Sequence, residues 1–102
     1  MKVTTLEQLR SESTTIANIC ARYKVAELSV FGSTARGDAG VGDIDLLVTF
    51  QPDAAIGLIA FNRLRRELEE GLGRRVDLVP KDGLKPLIRD EVLSQAQVLY
   101  LA

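Results

Sequence analysis

The chain has no histidine and a single cysteine, Cys20. Without histidine, the usual zinc sites, Ser–His and Cys–His nucleophile pairs and the commonest general base are all excluded. Any chemistry must run on carboxylates, hydroxyls and cations. One cysteine allows no internal disulfide, which suits a reducing compartment. Cys20 lies at helical spacing from Ile16 and Tyr23 and reads as a small core residue rather than a nucleophile. No apolar run approaches the roughly 20 residues of a membrane span. The opening MKVTTLEQLR lacks the apolar centre of a signal peptide, so the expected location is cytoplasmic. Charge of one sign is lacking too: the formal net charge of −1 offers no electrostatic footprint for a long nucleic acid, which is not expected as a direct ligand.

What is present is an ordinary globular mixture, 46% apolar and 26% charged. At 102 residues it is read as one domain, 1–102, able to hide about two-thirds of its unfolded surface. That leaves room for one core and one site. Thr5 and Gln8 have the spacing of a capping box, and Leu6, Leu9, Ile16, Ile19, Cys20 and Tyr23 continue a helical stripe, predicting one helix over about Leu6 to Tyr23. Val25 to Phe31 reads as a strand that stops at Gly32. A helical turn over Ser33 to Arg36 and a loop carrying Gly37, Gly40 and Gly42 follow. Ile44 to Phe50 is almost continuously apolar, as expected of a strand covered on both faces. Ala55 to Leu72 has the pattern of an amphipathic helix, with Ile56, Leu58, Ile59, Leu64, Leu68 and Leu72 inward and Glu67 among the residues toward water; Gly71 and Gly73 would close it. A strand at Val76 to Val79, a turn at Lys81 to Gly83, a helix over Lys85 to Ala96 and a terminal strand or packed tail at Val98 to Leu101 complete the chain. The order predicts a small α/β layer fold, a mixed sheet backed by helices.

The stretch FGSTARGDAGVGDIDLLVTF, Phe31 to Phe50, carries the chemistry. Side chains alternate along a strand, so Asp43 and Asp45 share one face while Ile44 and Leu46 take the other. Two neighbouring anions at a strand mouth repel unless a cation joins them, and magnesium, with its preference for carboxylates and phosphate oxygens, is the natural candidate. Asp77, in Arg75-Val76-Asp77-Leu78-Val79, stands where its core-facing neighbours lead one to expect an apolar residue. Three acids at the ends of two strands could hold a pair of metal ions for phosphoryl or nucleotidyl transfer, with Asp77 as candidate general base. Gly32 permits a tight turn whose N–H groups can face phosphate oxygens, Ser33 adds a hydroxyl, and Arg36 could bind a phosphate through two donors. Taken singly, each feature has an ordinary reading. Gly-Ser is a common turn, paired aspartates often cap turns, Asp77 could pair with Arg74 or Arg75, and Arg36 could be solvated. Their conjunction on neighbouring strand ends points to a site.

The motif Gly32-Ser33-x-Ala35-Arg36-Gly37 followed by Gly42-Asp43-x-Asp45-Leu46 resembles the signature of nucleotidyltransferases related to DNA polymerase β. With Asp77 and the ending from Leu84-Lys85-Pro86 to Leu99-Tyr100, the chain is similar to the minimal nucleotidyltransferase (MNT) domain over nearly everything after the first helix. The resemblance implies the polymerase β-like nucleotidyltransferase fold, magnesium, and a nucleoside triphosphate, often ATP. It implies metal ligation and catalysis by Asp43, Asp45 and Asp77, and phosphate contact by Gly32 and Ser33. The family often has serine before the first acid and arginine between the serine and alanine of the first motif; Gly42 and Thr34 stand there. It also implies a partner, a toxin of the HEPN (higher eukaryote and prokaryote nucleotide-binding) type, for which such small members act as antitoxins, some by adding AMP to a tyrosine (AMPylation).

Two functions from different classes fit. The first is an enzyme moving AMP from ATP to a hydroxyl of a partner protein. The second is a binding module that neutralises its partner by stoichiometric occlusion, favoured by the small size, by Thr34 and Gly42, and by the apolar C-terminus. A template-directed polymerase ranks lower, since no basic groove or extra domain is visible.

Overall fold

The computed structural model describes residues 5–37 and 42–102. Its elements in chain order are α1 (Leu6–Ser11), α2 (Ser13–Arg22), β1 (Val25–Phe31), α3 (Gly32–Ala35), β2 (Ile44–Phe50), α4 (Leu58–Leu72), β3 (Val76–Pro80), a 3-10 turn (Lys81–Gly83), α5 (Pro86–Gln95) and β4 (Gln97–Leu101). The four strands form one mixed sheet in the order β3-β2-β1-β4. β1 runs antiparallel to both β2 and β4, while β2 and β3 are parallel. A parallel pair needs a crossover connection, and α4 provides it. The terminal segment, open between strand and tail in sequence, is strand β4. Gly40 of the expected loop lies outside the described residues.

The single N-terminal helix expected from periodicity is two helices. Thr5 caps α1 through its hydroxyl, and the Gln8 side chain returns the bond to the Thr5 N–H. The break falls at Glu12, with φ −94 and ψ 21, where its N–H turns back to the Leu9 carbonyl at 3.2 Å. Ser11 donates to the Gln8 carbonyl at 2.6 Å. Such local hydroxyl bonds compete with continuation of the helix, and apolar spacing alone does not register them.

The core lies between the sheet and α1, α2 and α4. Leu9, Ile16 and Cys20 meet Leu28 and Val30 of β1, Ile44, Leu46 and Val48 of β2, and Leu64, Leu68 and Leu72 of α4, all essentially inaccessible. Each large side chain buried in this way stabilises by about 1.5–3 kcal/mol. Burial pushes the Cys20 thiol up to about 12, so it is an inert core group at neutral pH, as its spacing implied. Gly71 sits inside α4 rather than closing it. A Cβ there would come within 3.0 Å of Thr15 Cγ2 and 3.3 Å of Ile19 Cδ1, so the glycine lets α2 and α4 approach. Gly73 ends the helix in the left-handed conformation, with φ 68.

α4 begins three residues later than expected, because Gly57 is extended and acts as its N-cap, and the Ala54 N–H is engaged by the Gln51 carbonyl in a turn at 2.9 Å. Leu58 and Ile59, expected inward, are 76% exposed. Periodicity marks which side of a helix is apolar; it does not say how far the neighbouring element extends to cover it. Glu67, expected toward water, is half-buried and accepts hydrogen bonds from Arg22 and from the Tyr23 hydroxyl, tying α2 to α4. Those bonds, the tyrosine's foremost, hold its carboxyl below the usual glutamate range.

Candidate active site

The antiparallel run of β1 and β2 brings the exit of one strand to the entrance of the other, so Phe31 pairs with Asp45. The parallel register of β2 and β3 sets Asp45 directly across from Asp77, with strands about 4.8 Å apart. Asp43 precedes Asp45 by two positions, and Ile44 and Leu46 are fully buried on the opposite face. Asp45 and Asp77 thus share one face at one end of the sheet, and the alternation read from sequence holds from Ile44 to Leu46; Asp43 lies just before β2, near enough for its charge to act on Asp45. Asp77 does not replace a core residue, however. It is exposed between buried Val76 and Leu78, in normal alternation on an edge strand, with its side chain on the open face.

Asp45 is the strained member. Its carboxyl is held above the usual aspartate range, first by burial, then by the charges of Asp77 and Asp43, with Arg36 opposing them. A carboxyl raised by its acidic neighbours marks anionic charge that the protein has not neutralised. Asp45 is also pressed against the turn that follows β1. Gly32 has φ 71, and a Cβ built on it would overlap Asp45 Oδ2 and lie 3.2 Å from its Cγ. Only glycine meets both conditions, the left-handed backbone and the missing Cβ. From Gly32 the chain enters the short α3, whose N-cap Phe31 supplies no side-chain cap. α3 touches β1, β2 and α5. Ser33 is half-buried in its first turn, and Arg36, whose charge acts on Asp45, is exposed at its end. Thr34 points inward: it is 1% exposed, and its hydroxyl has no hydrogen-bond partner among the described residues.

The entrance of β2 is pinned from the two residues that lead into β3. The Ile44 N–H donates to the Arg75 carbonyl at 2.9 Å, and the buried Arg74 guanidinium donates to the Gly42 carbonyl. β3 is itself anchored to α4 through the Val76 N–H and Glu69, 2.9 Å apart. Sequence reading had Arg74 only as a partner for Asp77. Its bond to Gly42 spans 32 residues, and no periodicity or local motif signals such a contact.

Among the described residues, no three acidic, histidine or cysteine side chains are gathered tightly enough to hold a metal ion as they stand. The donor set nevertheless suits one: hard oxygen donors only, with Asp43 and Asp77 exposed and their charges pressing on Asp45. Two open cavities, of about 330 Å³ at Ile56, Leu58, Phe61 and Pro80 and about 470 Å³ at Arg22, Lys24, Asp53 and Ile56, lie at the opposite end of the sheet. They are built without these acids, so neither is the reaction site.

The fold and the acid-bearing strand ends define a nucleotidyltransferase, and the chain belongs to that family: residues 13–99 match the model of the nucleotidyltransferase domain. It is 40% identical to the protein adenylyltransferase MntA of Thermococcus cleftensis over 103 aligned positions, covering 99% of this chain and 100% of that protein. A solved structure of a protein assigned as a minimal nucleotidyltransferase superposes with TM-score 0.76 at 41% identity, covering 91% of this chain and 94% of the other. A crystal structure of a toxin-antitoxin with AMP-PNP gives TM-score 0.69 at 25% identity, covering 88% of this chain and 73% of that one.

Proposed function

We propose that this chain is a magnesium-dependent protein adenylyltransferase that moves AMP from ATP onto a hydroxyl of a HEPN-type partner and so serves as the antitoxin of the pair. The observation that carries this reading is the Asp45–Asp77 register with Asp43 two positions away. The family membership and the MntA relative support it. Asp43, Asp45 and Asp77 would hold the divalent cation, which when bound neutralises phosphate oxygens and eases ionisation of the acceptor hydroxyl. Gly32 and Ser33 face the triphosphate from the turn after β1. Arg36, already acting on the charge of Asp45, adds positive charge for the phosphates. Asp77, the exposed acid on the edge strand, is open to an incoming chain and receives the acceptor proton. The acceptor oxygen forms a bond to the α-phosphorus, the α–β bridging P–O bond breaks, and pyrophosphate leaves with that electron pair. Because Asp43 and Asp77 are exposed, the acceptor protein itself completes the enclosure.

Incubating the chain with its HEPN-type partner, ATP and magnesium is expected to add the mass of AMP to the partner, and Asp43→Asn with Asp45→Asn to abolish the addition. Equal labelling by the doubly substituted chain would refute the assignment. A second reading, neutralisation by occlusion, is favoured by the apolar surface on the last two elements: Leu87 is 98%, Leu101 70% and Val98 45% exposed. It requires protection of the partner without nucleotide and by the acid-to-amide chain as well.

A further inference from the structure

We propose that Arg74 is a positioning residue for Asp43. It acts by fixing the peptide that enters β2, a role that rests on the acid site described above. Arg74 is 7% exposed, and burying a guanidinium is costly unless its donors are used. One of them meets the Gly42 carbonyl, the acceptor immediately before Asp43. On the other side of Asp43, the Ile44 N–H is held by the Arg75 carbonyl at 2.9 Å. Two consecutive residues just before β3 thus hold the backbone on both flanks of the first acid, one through its side chain and one through its main chain.

The need for such a clamp is visible in the geometry. Asp43 precedes the first residue of β2 and is exposed, so neither ladder pairing of its own nor side-chain packing fixes it. Gly42 has φ 66, and a Cβ there would meet nothing within 4 Å. The glycine therefore makes the bend and contributes no packing, and the Arg74 bond orients its carbonyl. Asp45 and Asp77 are set against each other by register. Asp43 is the acid whose place depends on a long-range side-chain contact. Arg74 lies two residues before the strand that carries Asp77, and β3 is tied to α4 by Glu69, so all three acids share one frame. Loosening the clamp leaves the pair intact and sets the third ligand adrift.

The test uses the full chain and Mn²⁺ as probe, with free Mn²⁺ read by electron paramagnetic resonance, alongside transfer assays. Arg74→Met is expected to weaken Mn²⁺ binding by about ten- to a hundredfold, the range for residues that orient metal ligands. It should raise the magnesium concentration for half-maximal transfer in parallel. Arg74→Lys, still a donor, should restore most of the loss. Leu68→Val, a core change far from the acids, should lower the unfolding temperature without moving the Mn²⁺ constant. If Arg74→Met does not fold, Arg74→Gln, too short to span the same gap, takes its place with the same expectation. Wild-type Mn²⁺ affinity in the folded Met or Gln variant, or an equal loss in Leu68→Val, overturns the positioning role while leaving the acid site standing. No Mn²⁺ binding by the wild-type chain overturns the acid site and the role with it.

Discussion

Glu67 on α4 and Asp45 on β2 are both partly covered carboxylates, and they are displaced in opposite directions. Glu67 accepts from Tyr23 and Arg22 and is held below the usual range. Asp45 faces Asp77 and Asp43 and is held above it. A carboxylate stabilised by donors belongs to the fold. One pressed among acids is kept at the fold's expense, and strain of this kind marks a place built for something the chain itself does not supply. The two groups also affect stability differently as pH changes. Glu67, lowered from 4.5, contributes stability above that value, and the contribution is lost as pH falls through its folded pKa. Asp45, raised from 3.8, has the reverse sign: its contribution is present below that value and lost as pH rises through its folded pKa.

The contrast can be broken at either end. The largest effect is expected from Asp43→Asn with Asp45→Asn: transfer should fall at least about a hundredfold, yet the metal-free chain should unfold at a higher temperature than wild type. The stability gain should grow as pH rises from about 4 to neutrality, as calorimetry across that range would register. Gly32→Ala should follow, costing about 1–3 kcal/mol for the left-handed backbone and more for the overlap with Asp45, with transfer reduced in the folded fraction. Chemical denaturation alongside a transfer assay separates the two. At the other end, Glu67→Gln should cost about 1 kcal/mol near neutral pH, since its bonds are partly solvent-screened. Partner labelling should stay at the wild-type rate, and the stability difference should shrink as the buffer is acidified below about 4.5. Thr34→Val is expected to be the mildest, within about 1 kcal/mol of wild type and in the stabilising direction, because it removes a buried hydroxyl that makes no bond among the described residues; urea midpoints would register it.

Most of the site was legible because strand alternation is local and rigid. Ile44, Asp45 and Leu46 take alternate faces, and the covered run from Ile44 to Phe50 is an inner strand; Asp43, one residue outside β2, is not fixed by that alternation. Asp77 was legible as an acid in a strand. Its position on the open face of an edge strand depended on sheet order, which no single strand encodes. The N-terminal break at Glu12 was hidden because hydroxyl-to-carbonyl bonds interrupt a helix without disturbing its apolar spacing. The exposure of Leu58 and Ile59 was hidden because cover is supplied by other elements. Arg74 illustrates the general limit: its target is a main-chain carbonyl brought near by the fold, and a carbonyl leaves no mark in the sequence.

The most direct measurement is the unfolding temperature of the wild-type chain and of the Asp43→Asn, Asp45→Asn variant, each with and without magnesium at pH 7. At about a hundred times the dissociation constant, a site specific to the folded state adds about 2.7 kcal/mol, which at about 4–8 °C per kcal/mol for a domain near this size is a rise of roughly 11–22 °C. The wild-type chain should show that rise and the variant none. A wild-type midpoint indifferent to magnesium, or an equal rise in both, would contradict a cation centre formed by these acids.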